Sequence, residues 1–184
     1  MNRLIFVLLF ALLLMACGSA NVPLVAYSSP NYPVTLQMPE GWAISDDEDS
    51  ITIATEDSLL FAPSVEKGAR INISVTPSFF SGTANATEVI DTAVRRFREQ
   101  AGAVVIQEVE PTTINTQSAV QTVLQGPDTQ GNEVVLRYVV IENLSVNQTA
   151  VVAAVHDASQ NNRYGQLMAD IVNSIQLGEA TPVP

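Results

Sequence analysis

The sequence predicts an α+β fold: a central antiparallel β-sheet packed by two or more α-helices, an α/β/α sandwich. Three observations predict it. Short segments early in the chain alternate apolar and polar residues with period two; two later segments are apolar at nearly every position; and two amphipathic stretches, one in mid-chain and one at the end, each open on a capping-box spacing. The chain has 184 residues, 47% of them apolar, which suits one domain with a sizeable core.

The first seventeen residues set the address. Met1–Arg3 is a short basic n-region, and Leu4–Met15 is an unbroken apolar run. A membrane span needs about 20 apolar residues, so this run reads as the h-region of a signal peptide, residues 1–16. Leu14-Met15-Ala16 followed by Cys17 has the form of a bacterial lipobox, in which the thiol takes a diacylglycerol thioether and the chain is cut before it. Cys17 is the only cysteine, and it stands at the one place where this chemistry uses it. The expected location is the cell envelope, lipid-anchored on the outer face of the cytoplasmic membrane or in the outer membrane. Residues 17–31, rich in Ser, Pro, Gly and Asn, read as a tether; 32–177 as the single domain; 178–184 as a disordered tail.

Within the domain, Val34–Met38, Trp42–Ile44, Ile51–Ile53 and Ile71–Val75 are expected to be strands, each of the alternating ones burying one side only. Asn85-Ala86-Thr87-Glu88 opens a helix whose apolar stripe is Val89, Ile90, Ala93, Val94, Phe97 and Ala101, and Gly102 is placed to end it. Strands then follow at Val104–Val109, Val120–Gln125, Val134–Ile141 and Gln148–Val155. The last two are apolar on both faces and are expected at the centre of the sheet. Asp157-Ala158-Ser159-Gln160 starts a closing helix with the stripe Tyr164, Leu167, Met168, Ile171, Val172 and Ile175. Tight links between so many strands argue against a βαβ pattern.

Over Tyr32–Leu177 this layout, with Tyr32-Pro33 and Pro39-Glu40-Gly41-Trp42 at its start, resembles the PsbP-like family. The resemblance implies a central antiparallel sheet with helices packed on it and no active site. The best-known members are extrinsic subunits that dock on photosystem II and help retain its calcium and chloride; others bind a small GTPase. The chain departs from the photosynthetic members in its lipobox and in having a single lysine, Lys67.

Composition excludes several chemistries. A net charge of −11 argues against nucleic acid, whose phosphates require clustered Lys and Arg. One Cys and one His, His156, leave no multi-His or Cys-based metal cage, no internal disulfide and little scope for Ser–His catalysis. His156 reads as a strand-end residue beside a helix cap. No catalytic residue and no cofactor is expected. Asp46, Asp47, Glu48 and Asp49 form the densest carboxylate run; a hard cation such as calcium takes roughly six to eight oxygens, and the run lacks the spacing of a calcium loop, so it reads as a solvated hairpin turn with a metal site as the alternative. Trp42 reads as a core plug. Phe79-Phe80, adjacent aromatics that cannot both turn inward easily, are the expected contact for a protein partner. The function expected is that of a membrane-anchored, non-catalytic binding or accessory module for another envelope protein complex. The alternative is a surface receptor for a small ligand or a metal ion such as calcium.

Overall fold

The computed structural model describes residues 22–77 and 86–179. Ten strands run in chain order: β1 (Leu24–Ser28), β2 (Val34–Pro39), β3 (Ala43–Asp46), β4 (Ile51–Ala54), β5 (Ala69–Pro77), β6 (Val104–Ile114), β7 (Gln117–Pro127), β8 (Glu133–Asn143), β9 (Gln148–Asp157) and β10 (Gln176–Leu177). Helix α1 (Ala86–Ala101) separates β5 from β6, and α2 (Asn161–Asn173) lies between β9 and β10. The sequence of Cys17 and its lipobox, and Phe79-Phe80, lie outside the described residues.

Seven strands form one antiparallel sheet in the order β3-β4-β5-β9-β8-β7-β6, and β1-β2-β10 form a second, three-stranded one. The eight expected strands are all present. β9 is the middle strand of the seven and β8 its neighbour, which satisfies their near-continuous apolar character: a strand buried on both faces has no polar side to present.

Alternation along β8 sorts the core. Val139 and Ile141 point to one face, where Ile71, Ile73 and Val152 join Met168, Ile171 and Val172 of α2 and Val34, Leu36 and Met38 of β2. Val140 points to the other face, where it meets Ala86 and Ile90 of α1 beside Val120 of β7. The layers are therefore α1, the seven-stranded sheet, and then α2 with the small sheet. Helix α1 ends as its sequence predicts. Gly102 has φ +66°, a left-handed conformation that costs glycine little, and its N–H and that of Ala103 return to the carbonyls of Arg98 and Phe97.

Three expectations are corrected. Leu24–Ser28, inside the stretch read as a tether, is strand β1, paired residue by residue with Ser28↔Thr35 through Leu24↔Pro39. Its exposure pattern is irregular because it edges a small sheet with little to bury it, so alternation gives no signal. β4 buries both sides rather than one: Thr52 is 6% exposed, its hydroxyl accepting from Asn72 Nδ2 at 3.0 Å. The closing helix does not begin directly at the Asp157 cap; Asp157 Oδ1 accepts from the Ser159 N–H at 2.8 Å to close a 3-10 turn, Ala158–Gln160, and α2 follows. Trp42, by contrast, packs half-buried on the core with its ring edge-on to Tyr164 at 6.2 Å.

Candidate functional site

The acidic hairpin sits where β3 turns into β4. Asp47 organises the turn: its carboxylate accepts from the N–H groups of Asp49 and Ser50, and these bonds hold its carboxyl below the usual carboxylate range. Asp46 is not merely solvated. It accepts from the Tyr27 hydroxyl at 2.6 Å and from Asn31 Nδ2 at 3.0 Å, so it ties the small sheet to the edge of the large one. Burial and that bond to Asp46 push the Tyr27 phenol well above its ordinary value. The four carboxylates thus do not converge: one is spent on tyrosine, one on the turn backbone, and Glu48 and Asp49 are exposed. Among the described residues no group of three or more His, Cys, Asp and Glu is arranged to hold a metal ion.

Beside this hairpin the loop between β4 and β5 carries an aromatic the sequence reading missed. Phe61 is 77% exposed and, with Leu60 and Ala62, borders a shallow cleft whose other wall is Asp47, Asp49 and Ser50. The apolar run Leu59-Leu60-Phe61 is the signal that was available: Leu59 is buried and anchors the short 3-10 turn Asp57–Leu59, and the next residues have no interior left to enter. Arg70 on β5 locks the loop, its Nη1 donating to the carbonyls of Leu59 and Ala62, and burial lowers the affinity of its guanidinium for its proton.

Two further clefts open on the sheet. On the α1 face, beyond the helix's end, about 260 Å³ is lined by Leu124, Val134, Leu136, Ala153 and Val155, with Phe97 and Arg70 at its margins. Phe97, counted in the apolar stripe of α1, is 36% exposed because it overhangs this opening instead of entering the core. On the opposite face, between α2 and strands β6–β8, a second cleft of about 330 Å³ contains Arg137, His156 and Asn161.

His156 is the chain's one imidazole and is 3% exposed. Its Nε2 lies 3.0 Å from Asn161 Oδ1, and Nδ1 is buried without a hydrogen-bond partner. The geometry needs Gly165: a Cβ there would stand 2.6 Å from Asn161 Oδ1 and displace it. Burial, aided by the Arg137 charge, lowers the imidazole's proton affinity against the opposing influence of Asn161 and Asp157, so the neutral ring is favoured. The ring is bonded to a carboxamide, not to a hydroxyl or thiol it could activate, which matches its reading as a strand-end residue by a cap.

No family model matches the chain, and no curated protein matches it. Solved structures do match. The fold is the PsbP-like one that Tyr32-Pro33 and Pro39–Trp42 pointed to. Cyanobacterial PsbP from Synechocystis sp. PCC 6803 is 14% identical with a TM-score of 0.60, covering 89% of this chain and 98% of its own. The Ran-binding protein Mog1p of Saccharomyces cerevisiae is 9% identical with a TM-score of 0.57 over 86% of this chain and 97% of its own. LpqN, involved in cell envelope biogenesis of Mycobacterium tuberculosis, is 14% identical with a TM-score of 0.56, covering 84% and 88%. At these identities the likeness is one of fold.

Proposed function

We propose that the chain is an extracytoplasmic lipoprotein that acts as a non-catalytic binding or accessory module for another protein complex of the envelope. In this reading residues 1–16 are the signal peptide, Cys17 carries the lipid, and a short tether leads into β1. The observation that carries it is the exposed Phe61 beside Asp47 and Asp49. An aromatic side chain held out in water by a loop that Arg70 fixes, and rimmed by carboxylates, is the composition of a protein-docking anchor for a basic partner surface. The carboxylates steer approach and the ring supplies contact area. Support of a coarser kind comes from the fold's other bearers, one of them Ran-binding and another tied to envelope biogenesis. Among the described residues no helix is long and apolar enough to cross a membrane. The test compares captures from solubilised membranes of the host by the full-length lipoprotein and by its Phe61→Ser variant. A partner held by the first and lost by the second supports the reading; identical captures by both would sink it.

The alternative, a receptor for a small ligand, draws on the apolar cleft of the α1 face. Leu124, Leu136 and Val155 line it and give it an apolar wall.

A further inference from the structure

We propose that the cleft between α2 and strands β6–β8 binds the carboxylate of a small organic acid, with Arg137 as the anion-holding residue. The cleft stands apart in a chain of 19 acids and 8 bases: its lining includes Arg137 and His156 and no acidic residue. The guanidinium is half-buried and, among the described residues, makes one hydrogen bond, from Nη1 to the neutral Gln121 Oε1 at 2.8 Å. A guanidinium offers five N–H donors in a planar fork, so most of its capacity is unspent and free to meet an anion entering the cleft. Glu110 is the carboxylate that acts on it through space, and Glu110 Oε1 is already taken by the amides of Gln107 and Gln121.

The rest of the cleft defines the body of the ligand. Val123 and Val135 make an apolar floor, Met168 of α2 walls one side, and Ile106, 54% exposed on the edge strand β6, stands at the mouth. A bidentate carboxylate on Arg137 with a short apolar body over Val123 and Val135 meets both halves of this chemistry. His156, buried with Nδ1 unpartnered, closes the inner end. The inference is independent of the docking face at Phe61, which lies at another edge of the molecule on different residues.

The probe is butyrate, with inorganic phosphate as the comparison anion, titrated calorimetrically into the full-length chain in nanodiscs. Methyl NMR shifts of Val123, Val135 and Met168 report the place of binding. Saturable butyrate binding that shifts these methyls, and that weakens about tenfold or more in Arg137→Gln, is the expected result. Ile106→Glu sets a like charge at the mouth on an already exposed side chain, so it leaves the fold intact and should also weaken binding. Absence of saturable binding, undiminished affinity in both variants, or phosphate binding as tightly as butyrate would each overturn the proposal.

Discussion

The two faces of the seven-stranded sheet are made from the same alternating strands and are finished differently. On the α2 face, helix, small sheet and strands close over a continuous apolar cluster in which Ile51, Ile53, Ile71, Ile73, Ile141 and Ile171 are fully buried. On the α1 face the covered cluster is small, centred on Ile90 and Val140, and the helix ends with Phe97 overhanging an open cleft floored by Leu136 and Val155. The α2 face anchors the fold and opens only at its β6–β8 end, in the cleft of Arg137 and His156, while the α1 face carries the smaller covered cluster. The difference teaches that burial on both sides of a strand, which the sequence signals, does not require both sides to be sealed by the same protein.

The largest effect that tests this contrast comes from truncating one residue on each face of β8. Ile141→Ala opens a cavity in the closed cluster and should cost about 2–5 kcal/mol by urea unfolding. Leu136→Ala borders an existing cleft that can collapse or admit water, and its cost should fall toward the low end, about 2 kcal/mol. Equal losses would mean that Leu136 is packed as tightly as Ile141. Next in size is Asn72→Ala on β5. It strips the buried Thr52 hydroxyl of its partner from the neighbouring strand and should cost about 1–3 kcal/mol, where an exposed polar residue would cost about 0.5 kcal/mol or less.

His156 makes the α2 face pH-sensitive. Its proton affinity is lowered on folding, so the unfolded chain binds the proton more readily than the native one. Stability therefore stands in full above about pH 6.5, the ordinary imidazole value, and is lost as pH falls below it, until the native ring itself titrates at its depressed value. The groups facing the ring are Asn161, Asp157, Arg137 and Tyr164. His156→Gln should flatten the slope of unfolding free energy against pH in this window; an unchanged slope would assign it to other groups. The smallest effect belongs to the rim of the hairpin. Replacing Glu48 and Asp49 by Gln and Asn should leave the unfolding midpoint almost unmoved and slow association with a basic partner most at low salt. Asp46→Asn, which weakens the bond from Tyr27, should cost a measurable amount of stability, about 1 kcal/mol, unlike the changes at Glu48 and Asp49.

Much of the fold is legible in the residues because its signals are local. Alternation at Val34–Met38 and Ile71–Val75, the mostly apolar character of both faces of Val134–Ile141 and Ala150–Val155, the capping residue Asp157 and the terminator Gly102 each act over a few positions. The candidate sites were less legible. Phe61 is exposed because Leu59 beside it takes the available interior. Arg137 sits in a segment that reads as mostly apolar on both faces, and only the register of β8 against β7 sets it opposite Val123 and within reach of Gln121. Thr52 looked solvent-facing until Asn72 came alongside.

The sequence by itself determined the periodicities, the end of α1 at Gly102, the composition that disfavours nucleic acid, and the central placing of β8 and β9, since each rests on a residue and its near neighbours. Only the tertiary structure decided that Leu24–Ser28 pairs with β2, that Asp46 serves Tyr27 instead of joining its acidic neighbours, and that Arg137 and His156 share one cleft. Those facts depend on which strands lie side by side and how far each helix reaches across the sheet, and both are set by long-range packing that no local pattern records.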